Sequence, residues 1–493
     1  MDVIVIGGGV GGLGAALALS KGGHRITIVE RDATPLPADP NGAFEWDRRG
    51  APQVRHSHAF LARLRNQLRD RHPEVLAALF DAGATEMDFI EMLPEGMDRT
   101  RQPGDEDLVA LACRRTTFEW VLRRAVLDDD HVRLRDGAAV VGLLGDAAGA
   151  SVPARVQGVV LDDGTEIRGD LVVAANGRRS SIPAMVEPLG VRITETSEET
   201  GIIYFSRFFT LVDGADWPVQ NGPIGGDLGY LKYGVFQGDN RTFSITLAVR
   251  TDDAAMRSRV LDPALFLETA AQLPATATYL DGRAEPITGV EVMAKLLNRR
   301  RRFTTDDGEL LVDGFVAVGD AHTCTNPLYG RGCSLAVVQG QLLADALAEH
   351  PDDRREAITA YEAASAREVL PWYRAAVAQD AASRADAAAS SSEPSGLDGD
   401  ATPERPSDGG RSSGLDGEDM RALLRDGLMP AMRVDPVVIR AFLRMFNLLE
   451  PPDSLLTNWD VIGRVMQAYQ DRENRPPEPE LGPGRDAMLS ALG

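Results

Sequence analysis

The chain opens with a strand–helix–strand pattern of apolar residues. Residues 3–6 (Val-Ile-Val-Ile) form a β-branched run, which is typical of a buried parallel strand. Residues 13–21 have the Ala/Leu-rich composition of a helix, and the glycine pair at 22–23 ends it. Residues 25–30 form a second apolar strand. The pattern therefore predicts one βαβ unit of the kind that begins nucleotide-binding domains.

After residue 110 the pattern predicts further helices and strands, and then a region made mainly of strands. Helices are predicted at 116–127 and 334–348, and strands at 138–141, 155–161, 171–175 and 315–320. Between about 200 and 290, strand-like segments alternate with glycine-rich turns, as at Gly225-Gly226. This region predicts a separate sheet-based lobe inserted into the nucleotide-binding domain.

The chain after residue 384 contains one segment without a hydrophobic pattern and one segment with a helical pattern. Residues 385–418 are rich in Ala, Ser, Gly, Pro and Asp, which predicts a disordered linker or loop. Residues 420–449 and 455–469 resume a helical pattern, whereas the Pro-rich last twenty or so residues are expected to be loose. The predicted boundaries are 1–194 and 291–350 for the two parts of the nucleotide-binding domain, 195–290 for the sheet domain, 351–384 for a helical segment, 385–418 for the linker and 419–493 for a C-terminal helical region.

Charge and cysteine content narrow the functional classes. Fifty-two basic and 74 acidic residues give a net charge of −22, which disfavours nucleic acid and anionic membranes as partners. Three cysteines without a CxxC motif give no disulfide framework and favour the cytoplasm. The uncharged run 3–20 superficially resembles a signal peptide or a membrane span, but Asp2 precedes it and glycines interrupt it. No membrane span is therefore predicted.

The first chemical motif lies between the two opening strands. Gly7-x-Gly9-x-x-Gly12 follows a strand and begins a helix, where the glycines allow a tight turn, close approach to a pyrophosphate and helix–strand packing. The helix N-terminus offers free N–H groups to phosphates. Glu30 ends the second strand and can accept the ribose hydroxyls of an adenosine, so a 2′-phosphate is disfavoured. The motif predicts a dinucleotide site.

Three later motifs make the pattern more specific. They are Arg115 at the start of 115–123, Asp-Leu-Val-Val-Ala-Ala-Asn-Gly at 170–177, and Gly319-Asp320 followed by Pro327-x-x-Gly330-x-Gly332. With the glycine-rich start, they resemble the FAD-dependent monooxygenases of the para-hydroxybenzoate hydroxylase type. The segments 50–58 and 326–332 are similar to those of bacterial flavin-dependent epoxidases and natural-product tailoring oxygenases.

This resemblance implies an α/β fold in which a Rossmann-like FAD-binding domain is interleaved with a β-sheet substrate domain and followed by a C-terminal helical layer. It implies that Asp320 accepts a ribitol hydroxyl, that the Pro327 loop lies close to the isoalloxazine, and that the helix from Ser334 points its positive end at the ring. The implied FAD-binding residues are Gly7, Gly9, Gly12, Glu30, Arg31, Arg55, Arg115, Gly319, Asp320, Pro327, Gly330 and Gly332.

Each of these residues also has an ordinary structural explanation. Asp320 is also suited to cap a turn, the glycines to form a plain tight turn, and Arg115 to start a helix at the surface while Arg114 takes its role. Cys324 and Cys333 flank the proposed flavin loop, where packing is favoured over a redox role.

The resemblance further implies an oxygenase in which a flavin C4a-hydroperoxide transfers one oxygen atom from O₂ to an apolar, natural-product-like substrate, by epoxidation or hydroxylation. Electrons come from NAD(P)H, bound transiently, or from a separate flavin reductase. No catalytic side chain and no metal is required. Two alternatives stay open: an FAD-dependent reductase of prenyl double bonds, and a non-catalytic FAD-binding protein.

Some features depart from the family pattern or admit two interpretations. Asn176-Gly177 replaces a common Asp-Gly, which puts a nicotinamide role for this motif in doubt. The Trp-x-Trp-x-Ile-Pro motif of flavin halogenases is absent from the sequence, which disfavours halogenation. A second GxGxxG unit in a βαβ frame of its own is also absent, which disfavours a dedicated NAD(P)H domain. Residues 53–58, with Gln53, Arg55 and His58, either lie near the flavin or form only local hydrogen bonds. Aromatic residues suited either to a substrate pocket or to the sheet core are Tyr204, Phe205, Phe208, Phe209, Tyr230 and Phe236.

Overall fold

The structure is a computed structural model that describes residues 1–149, 152–219, 224–391, 422–474 and 478–493. The linker predicted at 385–418 lies largely outside these residues, although helix Leu370–Ser391 extends into its beginning. The domain boundaries given above therefore remain a prediction.

A five-stranded parallel sheet forms the centre of the nucleotide-binding domain. Its strands, in spatial order, are Phe315–Ala317, Leu171–Ala174, Asp2–Ile6, Arg25–Val29 and Val132–Arg135. The central strand pairs in parallel with both neighbours, Val3 lying opposite Ile26 and Leu171. Helices Val10–Lys21 and Arg115–Leu127 pack on one face of the sheet, whereas strand Ala154–Leu161 and helix Ile182–Val186 pack on the other. The apolar residues of the central strand are therefore buried on both sides, which explains the unbroken β-branched run. The predicted βαβ unit is confirmed.

The first helix begins earlier than the sequence predicted. It spans Val10–Lys21 rather than starting at residue 13, so it includes glycines that ordinarily weaken a helix. These glycines allow close packing against helix Gly332–Glu349. A Cβ on Gly340 would lie only 2.9 Å from the Cα of Ala15, and a Cβ on Gly14 would lie 3.3 Å from Val337. Tertiary packing therefore outweighs local propensity here.

The predicted sheet-based lobe is an antiparallel sheet. Its strands are Gly225–Asp227, Leu231–Gln237, Thr242–Arg250, Ile202–Leu211, Ala284–Pro286 and Glu291–Met293. Phe205 and Phe209 point to the face covered by helices Ala254–Leu261 and Pro263–Ala271, and they belong to the core there. Tyr204 and Phe208 lie on the opposite face, which meets the nucleotide-binding domain: Tyr204 bonds to Asn326 and Phe208 packs on Phe44.

The expectation of a loose C-terminus is wrong for residues 485–492. Helix Arg485–Leu492 packs on the sheet lobe, where Met488 is fully buried. The Arg485 guanidinium binds the carboxylate of Asp253 at 2.7 and 2.9 Å.

Smaller elements complete the fold. A further sheet contains strands Val312–Asp313, Ala154–Leu161, Val140–Asp146 and Glu166–Arg168. Another contains strands Thr194–Glu199, Leu297–Arg302 and Thr323–Cys324. A hairpin, which the sequence did not predict, joins Thr85–Asp88 to Val109–Ala112. Other helices are Pro40–Phe44, Ala62–Arg71, Pro73–Asp81, Arg115–Leu127, Ile182–Val186, Pro274–Ala277, Arg354–Glu368, Met429–Val434, Pro436–Phe446, Ser454–Thr457 and Trp459–Gln470. Among the described residues, no helix is both long and apolar enough to cross a bilayer.

Candidate cofactor site

One cleft joins the two glycine motifs, which are more than three hundred residues apart in the sequence. It encloses about 300 Å³ between the parallel sheet and the segments that follow its strands. Such a crevice at the carboxyl ends of parallel strands is where nucleotides bind in α/β folds. The sequence-predicted residues that line it are Gly7, Gly9, Glu30, Arg31, Arg115, Gly319, Asp320, Pro327, Gly330 and Gly332.

Each glycine of the first motif meets a different constraint. Gly7 has a φ of +105°, and a Cβ there would lie 2.8 Å from the Ala175 carbonyl oxygen. A Cβ on Gly12 would lie 1.9 Å from the Gly7 carbonyl oxygen, so Gly12 is required for packing and does not line the cleft. A Cβ on Gly9 would meet nothing within 4 Å, because this position faces the cleft. The open space beside a helix N-terminus fits a pyrophosphate.

Glu30 is held rigidly at the end of the second strand. Its Oε2 accepts a hydrogen bond from the Gly8 amide at 2.8 Å, and its Oε1 accepts one from the Asp32 amide at 3.0 Å. Oε2 accepts a second hydrogen bond from Arg48 at 3.3 Å, so Oε1 is the oxygen that retains capacity for a ribose hydroxyl. Arg31 lines the same part of the cleft and donates to the Gly50 carbonyl at 3.3 Å.

Arg48 is a cleft residue that the sequence reasoning missed. Its buried guanidinium reaches Asp32 at 2.9 Å, Glu30 at 3.3 Å and Glu119 at 2.6 Å. Burial by itself lowers the pKa of Arg48, but the surrounding carboxylates outweigh it and raise the pKa above its usual value. In the sequence Asp-Arg-Arg at 47–49 looks like a solvated charge cluster, so no local signal points to this residue.

The two arginines at the start of helix Arg115–Leu127 have separate partners. Arg115 lines the cleft and forms an ion pair with the fully buried Glu119. Arg114 instead binds Asp239 of the sheet lobe, with its Nη2 2.6 Å from the carboxylate. Of the two, only Arg115 is therefore placed to reach a ligand in the cleft. Glu119 connects it to Arg48.

The other end of the cleft is formed by the second glycine motif. Gly330 has a φ of +65°, and its Cα lies so close to the segment at Ala59 that a Cβ would come within 2.7 Å of the alanine methyl. Helix Gly332–Glu349 begins there, so its free N–H groups and positive dipole end point at the cleft. This wall would suit a flat ring that has hydrogen-bond acceptor atoms and gains negative charge when it is reduced.

Asp320 faces this end of the cleft. Burial is the main influence on its carboxyl and raises the pKa, partly opposed by the positive charges of Arg178, Arg115 and Arg299. A buried carboxylate has little access to water, so a hydrogen bond from a hydroxyl group of a ligand would stabilise it.

The segment after residue 50 is divided between the cleft and the interior. Gln53 and His58 line the cleft, whereas Arg55 does not. Arg55 donates to the Phe44 carbonyl at 2.9 Å and stacks on the Phe44 ring. A role for Arg55 in cofactor binding is therefore supported by the motif alone and stays a prediction.

Cys324 and Cys333 also line the cleft. Burial raises the pKa of Cys324 to about 12 and that of Cys333 to about 11, so both are neutral thiols near pH 7. Neutral thiols are poor nucleophiles, which agrees with a packing role. Among the described residues, no group of three or more His, Cys, Asp or Glu side chains could hold a metal ion.

Comparison with known proteins agrees with this geometry. The family described as FAD binding domain matches residues 2–187. Zeaxanthin epoxidase of Oryza sativa subsp. japonica is 30% identical over 189 residues, which make up 36% of this chain and 25% of that protein. The FAD-dependent monooxygenase atnJ of Arthrinium sp is 26% identical over 200 residues, 38% of either chain. The matched part thus spans well under half of both relatives.

Most of the fold also has a solved counterpart. The structure of PqsL, a probable FAD-dependent monooxygenase from Pseudomonas aeruginosa, has a TM-score of 0.55 and 16% identity, and the alignment covers 79% of this chain and 96% of that one. At this identity the likeness shows the fold, including the interleaved sheet lobe. Residues 2–187 match an FAD-binding domain, the chain is a flavoprotein, and its fold is that of a solved probable FAD-dependent monooxygenase.

Proposed function

We propose that this flavoprotein is a monooxygenase that transfers one oxygen atom from O₂ to an apolar, natural-product-like substrate, by epoxidation or hydroxylation. The observation that carries the proposal is the single cleft that joins the pyrophosphate-type turn at Gly9 to the helix start at Gly332. FAD bound there supplies the electron transfer and the oxygen chemistry. The protein has to bind, orient and shield the cofactor and the substrate.

The residues at the ring end fit this task. The start of helix Gly332–Glu349 presents N–H donors where negative charge would develop on a reduced ring. Met293 lines the cleft beside Pro327 and packs on an apolar cluster that contains Tyr204 and Leu296. An apolar surface next to the ring supports an apolar substrate and keeps water away from reactive oxygen species.

The electron donor is either NAD(P)H itself or a separate flavin reductase. Mixing the oxidised holoprotein anaerobically with NADH and then with NADPH distinguishes these cases, since direct reduction bleaches the visible flavin band. If neither nucleotide reduces the protein at a useful rate, but a reduced flavin reductase does, the second case holds.

The oxygenase proposal itself is tested by rapid mixing. The dithionite-reduced holoprotein is mixed with O₂, and the flavin absorbance is followed in time. We expect a transient species, distinct from both oxidised and reduced flavin, before the oxidised spectrum returns. Direct return to the oxidised spectrum, together with anaerobic saturation of isoprenoid double bonds, would overturn the proposal in favour of a reductase.

We expect replacement of Asp320 by Asn to weaken FAD binding while stabilising the apoprotein. The ribitol hydrogen bond loses its charged acceptor, which weakens binding about tenfold. Because the pKa of Asp320 is raised in the folded state, its ionised form costs stability as the pH rises through that pKa, so the neutral Asn raises the apoprotein Tm near pH 7. Fluorescence titration with FAD and thermal unfolding measure both effects.

The exposed Asp306, which pairs with Arg302 at the surface, provides the control. Asp306→Asn leaves both FAD affinity and Tm nearly unchanged. An Asp320→Asn protein that binds FAD as tightly as wild type would contradict the ribitol role.

A further inference from the structure

Residues 57–59 form one wall of the cleft and contact the loop that contains Pro327 and Gly330. Ser57, His58 and Ala59 line the cleft at the end formed by Pro327 and Gly330. A Cβ on Gly330 would come within 2.7 Å of the Ala59 methyl, so the two segments touch. His58 is therefore placed at the ring end of the cleft.

The same wall is tied to the sheet lobe by hydroxyl groups. Ser57 donates to the Ser244 hydroxyl at 2.7 Å and accepts from Thr246 at 2.7 Å. The His56 Nδ1 lies 3.1 Å from the Ser206 hydroxyl, which in turn is 2.7 Å from Thr246. Contacts on both sides hold the segment in place, as a binding residue requires for precise placement.

The hydrogen bonding of His58 fixes which of its nitrogens carries the proton. Its Nδ1 lies 2.9 Å from the His56 carbonyl oxygen. A carbonyl can only accept, so Nδ1 is the donor. Burial, reinforced by the positive charge of Arg115, lowers the pKa of His58 to about 3, so the imidazole is neutral near pH 7. The remaining nitrogen, Nε2, is consequently a lone-pair acceptor with no donor function.

We propose that His58 Nε2 accepts a hydrogen bond from N3–H of the isoalloxazine ring of FAD. An oxidised isoalloxazine has one N–H donor, at N3, and its other polar ring atoms are acceptors. The helix start at Gly332 and the Arg115 guanidinium offer donors to those acceptors. His58 supplies a complementary group at this end of the cleft, a neutral acceptor. The proposal rests on FAD occupying the cleft but does not depend on the oxygenase reaction.

The experiment compares FAD with FAD methylated at N3, which has lost the donor. Both are titrated into wild-type apoprotein and into His58→Leu, a replacement of similar size without an acceptor. We expect wild type to bind FAD about tenfold more tightly than the methylated form. We expect His58→Leu to bind the two within about twofold of each other, and His58→Gln, which retains an acceptor, to recover part of the preference.

His72 offers a matched control, because it is also a buried histidine but lies outside the cleft, at the junction of helices Ala62–Arg71 and Pro73–Asp81. His72→Leu should keep the full preference for FAD. A tenfold preference that persists in His58→Leu, or one that His72→Leu abolishes equally, would overturn the proposal.

A measurement on the wild-type holoprotein covers the case in which His58→Leu does not fold. With ¹⁵N-labelled FAD and ¹⁵N-labelled histidine, a coupling between N3 and a histidine nitrogen supports the hydrogen bond. Rapid solvent exchange of N3–H without that coupling contradicts it. Both outcomes are independent of oxygen transfer, so failure of the oxygenase test would leave this assignment standing.

Discussion

Replacing Gly9 by Leu is expected to abolish FAD retention while leaving the fold intact. A Cβ at this position would meet no protein atom within 4 Å, and it would point into the cleft beside the helix N-terminus. The backbone of Gly9 is extended, with φ −87° and ψ −175°, which leucine adopts without strain. We expect FAD affinity to fall about a hundredfold or more, or about 2.7 kcal/mol, because the pyrophosphate loses its contact with the helix N-terminus.

Absorbance of the purified protein and titration of the apoprotein with FAD measure this loss. The apoprotein's free energy of unfolding should change by no more than about 1 kcal/mol, the usual range for an N-cap substitution. Gly289→Leu is the matched control, since a Cβ on this exposed glycine also meets nothing within 4 Å and it lies outside the cleft. FAD occupancy near wild type in Gly9→Leu would refute the placement of the pyrophosphate.

Gly12→Ala separates folding from binding within the same motif. Its Cβ would lie 1.9 Å from the Gly7 carbonyl oxygen, so the helix and the turn would have to move apart. Here we expect the apoprotein itself to be destabilised, by about 3 kcal/mol. Substitution of Gly9 should thus weaken FAD binding, whereas substitution of Gly12 should destabilise the fold, although both glycines belong to the same sequence motif.

The sequence predicted the cleft well because its parts are local patterns. A strand, a glycine turn and a helix specify one end, and the Gly319 and Gly332 motifs specify the other. The parallel sheet then brings these ends together, since all its strands end at the same edge. Local patterns did not reveal which charged residues form ion pairs when they are far apart in the sequence. Arg48 gains its role from Glu30, Asp32 and Glu119, which no spacing rule links to it.

The errors have a similar origin. Helix Arg485–Leu492 looks weak in isolation and is stable because Met488 inserts into the core of the sheet lobe. The first helix tolerates its glycines because helix Gly332–Glu349 packs on Gly11 and Gly14 and the turn at Gly7 packs on Gly12. In each case a tertiary contact decided between two local interpretations.

Glu119→Gln is expected to be the most destabilising of the single substitutions in the charged part of the cleft. Glu119 is fully buried and pairs with Arg48, at 2.6 Å, and with Arg115. Removing its charge leaves two buried guanidinium groups competing for too few carboxylates, which typically costs about 3–5 kcal/mol. Denaturant unfolding of the apoprotein measures the loss. Glu74→Gln, which breaks a solvent-exposed pair with Lys21, should cost less than about 1 kcal/mol.

The pH dependence distinguishes lost charge pairing from a simple packing defect. Burial tends to raise the pKa of Glu119, but Arg115 and Arg48 outweigh it, so the pKa in the folded protein is lowered. The stabilisation is therefore present above the unfolded-state pKa of about 4.3 and is lost as the pH falls through the folded-state pKa. The stability difference between wild type and Glu119→Gln should accordingly be constant near pH 7 and shrink in acid. A difference that stays the same down to the acid unfolding limit would mean that the arginine pairs contribute no charge-dependent stability. Arg48 and Arg115 would then need another explanation for their fixed positions in the cleft wall.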